Sequence, residues 1–137
     1  RTSIIGPEIK ENGEGLFDWF MKSKERELSG FKSNFWSGVT TLELAKFIFW
    51  FLNNETLNGL FHLTNNLPIS KFDLLNLFNE IYNTNKKILD NKDYDCNKSF
   101  INTNNNVDYK VPNYQEMMLE QKTFMHQYQN FYRFYFY

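Results

Sequence analysis

Two tyrosines are each followed by a lysine four residues later: Tyr82 by Lys86 and Tyr94 by Lys98. A lysine held beside a tyrosine lowers the pKa of the phenol, which can then pass a proton to a carbonyl. With 8 Tyr and 12 Lys in 137 residues, chance alone predicts about 0.7 such pairs. Both pairs also fall at a predicted helix end or in a polar loop. We therefore expect neither pair to be catalytic.

The other residues that could bind a metal or attack a substrate are isolated. His62 and His126 lie far apart in the sequence, with no cluster of carboxylates or thiols around them. Cys96 has only Lys92 and Lys98 nearby, and a nucleophilic cysteine needs a lowered pKa. We expect structural histidines, an incidental thiol, no metal site and no catalytic residue in this chain.

Composition bounds the remaining functions. The 137 residues suffice for one domain, and 15 Lys+Arg against 16 Asp+Glu give no field that would favour a nucleic-acid partner. The longest apolar run, residues 47–52, is far shorter than the about 18 residues of a membrane helix. No glycine-rich motif for a phosphate is present. A single cysteine fits the reducing cytoplasm.

The spacing of apolar residues predicts alternating helices and short strands, which indicates an α/β or α+β layer. The predicted helices are Leu16 to Gly30, Thr41–Leu52, 71–82 and from the Asn113 cap to about His126; the predicted strands are 2–5, part of 31–38, 59–63 and 87–89; residues 53–58 form a polar connection and 90–106 a polar loop.

Three of these helices carry a signal at their start. Capping boxes, in which two side chains satisfy the first amides reciprocally, are predicted for the pairs Thr40 and Glu43 and Ser70 and Asp73. A third helix is predicted to start with Asn113 as its cap, three residues before Glu116. The helix after Thr40 is apolar around most of its surface. We expect a sheet or a partner domain to cover it.

The last residues, 127–137, form an aromatic tail with Arg133 as its only charge. A base-stacking surface would need a basic groove around such aromatics. Packing against a neighbouring element is the interpretation that we favour. An out-of-frame extension in A/T-rich DNA would also produce Phe and Tyr codons, and the sequence leaves that alternative open.

Several segments, taken in order, resemble the C-terminal part of the extended short-chain dehydrogenases/reductases, and most closely the dTDP-4-dehydrorhamnose reductase group. They are Arg-Thr-Ser-Ile-Ile-Gly-Pro at 1–7, Trp-Ser-Gly-Val-Thr-Thr-Leu-Glu-Leu-Ala-Lys at 36–46, Gly-Leu-Phe-His-Leu-Thr at 59–64, Ile-Ser-Lys-Phe-Asp at 69–73, Asn-Lys-Ser-Phe-Ile-Asn-Thr at 97–103 and Val-Pro-Asn-Tyr at 111–114. The resemblance covers about residues 1 to 122.

The resemblance implies a fold class and a set of site residues. The expected fold is α/β, the C-terminal substrate-binding part of a Rossmann-type fold that is rich in helices and has a few short strands. Residues 1–126 would be the nucleotide-sugar binding part, followed by the tail at 127–137. Phe35, Trp36, Gly38 and Thr40 would lie near the nucleotide-sugar pocket, with plain core packing as the alternative for Phe35 and Trp36. Ile4 replaces a tryptophan that many of these reductases carry near the sugar.

The family's glycine-rich turn and its catalytic Ser/Thr, Tyr and Lys precede the segment with which this chain begins. The parent enzyme that the resemblance implies uses NAD(P) to reduce a 4-keto-6-deoxy sugar nucleotide. Without those residues this chain alone is expected to bind no cofactor and to be inactive. Since it begins at Arg1 with no Met, we expect a processed, excised or truncated product.

The expected partners are a nucleotide sugar and either the missing dinucleotide-binding half or a second copy of the chain. No nucleic acid and no membrane are expected. An alternative from another class is a non-catalytic binding subunit that docks through its apolar helix and aromatic tail. A third reading is a small binding domain unrelated to dehydrogenases, in which residues 1–6 would form a central strand.

Overall fold

The computed structural model describes residues 1–54, 59–104 and 107–136. Within these residues there are four α-helices and seven short strands. In chain order they are β1 (Ile4–Ile5), α1 (Leu16–Lys22), β2 (Glu27–Phe31), β3 (Asn34–Trp36), β4 (Val39–Thr40), α2 (Thr41–Leu52), β5 (Ile69–Ser70), α3 (Lys71–Tyr82), β6 (Lys87–Asn91), β7 (Cys96–Lys98) and α4 (Tyr114–Gln127), followed by a 3-10 turn at Arg133–Tyr135.

The strands form three small sheets rather than one. β1 pairs with β4 and β2 pairs with β6, both in parallel, while β3 lies between antiparallel β5 and parallel β7. The prediction of a mixed α/β fold that is rich in helices with a few short strands is confirmed. In the described part of the chain β1 has β4 as its one strand partner, so residues 1–6 do not form a central strand.

Helix α3 lies at the centre of the main core. Its apolar residues recur at helical spacing, and Leu74, Leu75, Phe78 and Ile81 are buried on one face. The Phe78 ring packs edge-on against Phe17 of α1, with ring centroids 5.3 Å apart. Methionines of α4 complete this cluster. Burial of that face therefore joins α1, α3 and α4 into one unit.

The first predicted helix is too long. α1 ends at Lys22, and residues 27–31 form β2, where Leu28 and Gly30 are buried and alternate with exposed residues. A Cβ on Gly30 would lie 2.9 Å from the Cα of Phe72. The glycine that would stop a helix instead allows β2 to approach α3 closely.

Two other predictions are wrong about strands. The predicted loop 90–106 contains β7 and the end of β6, because Cys96–Lys98 pairs with β3 in a parallel ladder. Residues 59–63 form no strand. Their backbone is bonded instead to the start of the chain: the Arg1 carbonyl accepts from the Leu63 amide, the Arg1 ammonium donates to the Phe61 carbonyl, and the Thr2 hydroxyl donates to the Leu63 carbonyl at 2.8 Å. Parts of the predicted connection 53–58, of loop 90–106 and of the tail lie outside the described residues.

Neither of the two predicted capping boxes forms completely, whereas the helix start predicted at Asn113 has a complete box with Glu116. Thr40 and Ser70 cap their helices through the amides of Glu43 and Asp73, at 3.2 and 3.0 Å. The Asp73 carboxylate instead accepts from the Ser70 hydroxyl at 2.6 Å.

The reciprocal half of the Thr40 box fails because the Glu43 carboxylate is turned inward. It accepts a hydrogen bond from the Tyr109 hydroxyl at 2.6 Å and lies 2.8 Å from the Lys46 ammonium. Helix α2 thus begins where predicted, at Thr41, although its glutamate has other partners.

Helix α2 is only partly covered by the chain. Its inner side packs Phe47 against Tyr109, with ring centroids 5.1 Å apart. On the outer side Ile48, Phe49 and Leu52 are 48%, 73% and 72% exposed; we call these three residues the α2 face. The described residues include no helix that is long and apolar enough to cross a membrane.

We predict that Phe78 and Phe49 differ sharply in their contribution to stability. Phe78→Ala opens a cavity in the core and is expected to lower the free energy of unfolding by about 3–5 kcal/mol. Phe49→Ala, its matched control on an exposed helix face, is expected to change it by less than about 0.5 kcal/mol. Urea unfolding followed by circular dichroism measures both. Equal losses would show that the α2 face is covered in solution.

Candidate functional site

A cavity of about 390 Å³ lies at the end of β1, where the starts of α1, α2 and α3 come together. Its walls are mostly apolar and include Ile4, Leu16 and the indole of Trp36. Two charged side chains line it, Glu8 and Lys71. A largely apolar pocket with a few polar groups is the usual form of a small-molecule site.

Lys71 supplies the cavity's cation. It is the first residue of α3 and follows the Ser70 cap directly. Across residues 1–54, 59–104 and 107–136 its ammonium has no hydrogen-bond or ion-pair partner, and the side chain is half-buried. An unpaired ammonium at a helix start favours an anionic group, because the helix dipole adds to its charge.

The Glu8 carboxylate is already occupied within the chain. One oxygen accepts hydrogen bonds from the amides of Gly15 and Glu14, at 2.6 and 2.9 Å, and the other lies 3.4 Å from the Lys10 ammonium. These amide bonds, that of Gly15 foremost, hold the pKa of Glu8 below its usual value. The carboxylate therefore fixes the loop of residues 8–15, and it is ionised at neutral pH on one wall of the cavity.

The back of the cavity depends on Gly6. A Cβ at this position would lie 2.4 Å from Thr41 Oγ1 and 2.8 Å from Gln121 Nε2. The Thr41 hydroxyl in turn donates to the buried Gln121 amide oxygen at 3.2 Å. Only glycine lets the loop after β1 pack against α2 and α4 together, so a larger residue would force these elements apart.

Of the residues that the sequence places near a nucleotide sugar, Trp36 lines this cavity. Its ring also packs on Tyr114, with centroids 5.9 Å apart, so it contributes to the core as well. Phe35 is 38% exposed and points to the other side of β3, since successive strand residues alternate.

Gly38 and Thr40 are not among the residues that line the cavity. A Cβ on Gly38 would come 2.1 Å from the Ser3 carbonyl oxygen and 2.4 Å from the Trp36 ring, so the glycine lets β4 approach β1. Thr40 is buried and caps α2. The involvement of Phe35, Gly38 and Thr40 in substrate binding stays a prediction.

Sequence reasoning missed Lys71, Glu8 and Leu16 as cavity residues. The cavity forms where segments far apart in the chain meet, and no local pattern marks that meeting point. The one available signal was that Lys71 directly follows a capping serine. A charged side chain on the first residue of a helix can face a ligand when the starts of other helices lie beside it.

The tyrosines and histidines considered from the sequence do not line this cavity. Burial raises the pKa of the Tyr82 phenol, the opposite of what proton transfer needs, and Lys86 donates to the Ser23 carbonyl. His62 contacts the Ile101 carbonyl through Nδ1 at 3.0 Å. Within the described residues no group of three or more His, Cys, Asp or Glu could hold a metal.

The six glycines do not form the glycine-rich turn of a dinucleotide-binding site. Five of them, Gly6, Gly13, Gly15, Gly30 and Gly38, have protein atoms within 3 Å of where a Cβ would stand. Gly59, with φ of 104°, is the sixth and stands alone. The amides before α1 are occupied by Glu8. These glycines therefore do not form the glycine-rich turn that holds the pyrophosphate of a nicotinamide cofactor.

The three-dimensional structure is similar to solved dTDP-4-dehydrorhamnose reductases. The protein from Bacillus anthracis str. Ames, solved in complex with NADP, gives a TM-score of 0.69 at 17% identity, over 82% of this chain and 44% of that one. The dTDP-4-dehydrorhamnose reductase from Clostridium acetobutylicum ATCC 824 gives a TM-score of 0.70 at 13% identity, over 90% of this chain and 46% of that one. The reductase from Yersinia enterocolitica gives a TM-score of 0.53 at 19% identity, over 65% of this chain and 31% of that one.

The similarity establishes the fold, which is that of a part of these Rossmann-like reductases. The chain spans less than half the length of each of them. At the level of sequence alone, no family model and no curated protein matches.

We predict that Glu8 stabilises the loop before α1 through its charge. Glu8→Gln is expected to lower the free energy of unfolding at pH 7 by about 0.5–1 kcal/mol, because a neutral amide binds the Gly15 and Glu14 amides less strongly. Since folding lowers the pKa of Glu8, the wild-type advantage should be complete above its usual value of 4.5 and vanish as the pH falls through the folded pKa.

Urea unfolding from pH 7 to pH 3 measures this difference. Glu11→Gln is the control, since the Glu11 carboxylate lies on the same loop and has no partner among the described residues. A gap between wild type and Glu8→Gln that does not change with pH would contradict the assigned role.

Proposed function

We propose that this chain is the C-terminal, substrate-binding part of an NAD(P)-dependent nucleotide-sugar reductase of the dTDP-4-dehydrorhamnose type. The observation that carries the proposal is the fold similarity, which spans most of this chain but less than half of each reductase. The parent reaction would reduce a 4-keto-6-deoxy sugar nucleotide. A sugar-nucleotide ligand and one unpaired cysteine, Cys96, support a cytoplasmic location.

The cavity at the end of β1 suits one end of such a ligand. A nucleoside diphosphate sugar combines flat or apolar rings with a diphosphate. The Trp36 indole and Leu16 offer apolar surface for a ring, and the unpaired Lys71 ammonium offers a charge for a phosphate. In this proposal residues 1–126 bind and orient the sugar nucleotide, with Phe35, Gly38 and Thr40 supporting the wall around Trp36.

Reduction needs a hydride donor held beside the keto carbon and an acid within reach of its oxygen. The nicotinamide cofactor of the parent enzyme supplies the hydride when bound. Because the glycines of this chain form no glycine-rich turn of the dinucleotide-binding kind, we propose that the chain alone neither binds the cofactor nor turns over. The dinucleotide-binding half would come from preceding sequence or from a separate subunit.

The surface suited to that half is the α2 face. Its three apolar residues are exposed, and a groove of about 260 Å³ lies between the same helix and residues 59–63, lined by Phe47, Phe51 and Phe61 among others. Exposed apolar surface of this kind marks an interaction site. The reductases extend beyond the part that this chain matches, and that remainder is the occupant we propose.

The α2 face equally favours the alternative, a non-catalytic subunit that docks on another chain. The aromatic tail contributes less to such docking, because Tyr132, Tyr135 and Phe136 pack on the chain's own core. Among residues 127–136 the exposed rings are those of Tyr128 and Phe131. A subunit of this kind would therefore dock mainly through α2.

We predict that the chain binds dTDP and that Lys71 contributes to the affinity. Lys71→Gln is expected to raise the Kd about tenfold, because it removes a charge-assisted bond to a phosphate. Isothermal titration calorimetry with dTDP measures this. Lys92→Gln, a change of the same charge on an exposed loop, should leave the Kd unaltered. Equal affinity of the Lys71 variant and wild type would remove Lys71 from the site.

We also predict that activity depends on docking through the α2 face. With NADPH and a dTDP-4-keto-6-deoxy sugar, the chain alone should show no NADPH oxidation. Added dinucleotide-binding half of a dTDP-4-dehydrorhamnose reductase should produce it. Phe49→Asp should abolish the gain, because a carboxylate cannot be buried unpaired.

The control is Gln115→Asp, an exposed change on α4 that should complement like wild type. Turnover by the chain alone would contradict the proposed inactivity. Full complementation by Phe49→Asp would contradict the proposed docking surface.

A further inference from the structure

The aromatic tail packs on the same core as the helices. The Tyr135 ring lies against Phe17 of α1, with centroids 5.6 Å apart, and Phe136 lies against His126, with centroids 4.8 Å apart. The Lys22 ammonium stands 5.6 Å from the centre of the Tyr135 ring. The tail thus continues past α4 and returns to the start of α1, beside the cavity.

The Tyr135 hydroxyl joins two elements there. It accepts a hydrogen bond from the Glu8 amide at 2.9 Å and donates one to the Asp18 carboxylate. Asp18 is 2% exposed and pairs with Lys22 at 2.7 Å. Burial, together with Asp18, raises the pKa of Tyr135, so the phenol keeps the proton that it donates.

The residue that Tyr135 holds, Glu8, lines the cavity and anchors the loop of residues 8–15. The Glu8 amide is bound by the tail, while its carboxylate binds the amides of Glu14 and Gly15. Gly13 lies against Asp18, where a Cβ would come within 2.4 Å of the carboxyl carbon. One hydroxyl on the tail is therefore connected to both ends of the loop.

We infer that Tyr135 is a positioning residue for the cavity, because it holds the loop of residues 8–15 in place around the ligand site. The aromatic tail thus contributes to the geometry of that site. The effect on ligand affinity rests on the proposed function. The effect on the loop does not, and can be measured without a ligand.

Tyr135→Phe keeps the ring against Phe17 and removes the hydroxyl with its hydrogen bonds to Glu8 and Asp18. Hydrogen exchange of the Glu14 and Gly15 amides should accelerate about tenfold, which corresponds to the loss of a typical hydrogen bond. Exchange in the middle of α3 should not change. The Kd for dTDP should rise several-fold. Tyr128→Phe is the matched control, since this tail hydroxyl has no partner in the described part of the chain.

Unchanged exchange at Glu14 and Gly15 would overturn the inference whatever the ligand does. Faster exchange with an unaltered Kd would overturn the link between the tail and the site. If wild type binds no dTDP, the proposed function fails, and the exchange rates alone decide whether Tyr135 holds the loop. Should Tyr135→Phe not fold, Glu8→Gln tests the next link, and unchanged exchange at those amides would also overturn the inference.

Discussion

The burial of one face of helix α3 is the interaction on which the rest of the structure depends. This helix contacts β2, β6, β3, β5 and α4, and its Phe78 ring meets Phe17 and Phe20 of α1. With its buried face fixed in this way, the start of α3 can lie in only one place. That place puts Lys71 at the cavity, beside the starts of α1 and α2. The cavity is thus a consequence of the core.

The small size of the sheets explains why apolar surface is left over. Strands of two to five residues in three separate sheets offer little area against which a helix can pack. Helix α2 packs Phe47 against the second core cluster, while Phe49 and Leu52 on the same helix stay exposed. Exposing apolar surface of this kind to water costs free energy, and a partner that covers the surface removes that cost. The exposed helix face and the partial match to the reductases therefore have one common explanation in the proposed dinucleotide-binding half.

Local sequence signals predicted where the helices start. The strand pairing and the make-up of the cavity depend on contacts between distant residues, which the sequence does not show. The caps Thr40, Ser70 and Asn113 act on amides three residues away, so α2, α3 and α4 begin where expected. Strand β2 was missed because its partner, β6, lies far along the chain and no local residue records the pairing. The same reason applies to the site. Trp36 was found through a resemblance, whereas Lys71 and Glu8 reach the cavity only through the folding of distant segments.

The tail raises a question that composition could not answer, since a run of Phe and Tyr can arise from A/T-rich DNA without any structural purpose. Aromatic rings alone would pack on apolar surface in many registers, because the hydrophobic effect is not directional. Hydrogen bonds are directional, and the Tyr135 hydroxyl bonds the Glu8 amide and the buried Asp18 carboxylate in one register. A different register would leave Asp18 with Lys22 alone and the Glu8 amide unpaired. The polar contacts of a single tyrosine, rather than the abundance of rings, thus define where the tail lies, and they place it against the loop that borders the cavity.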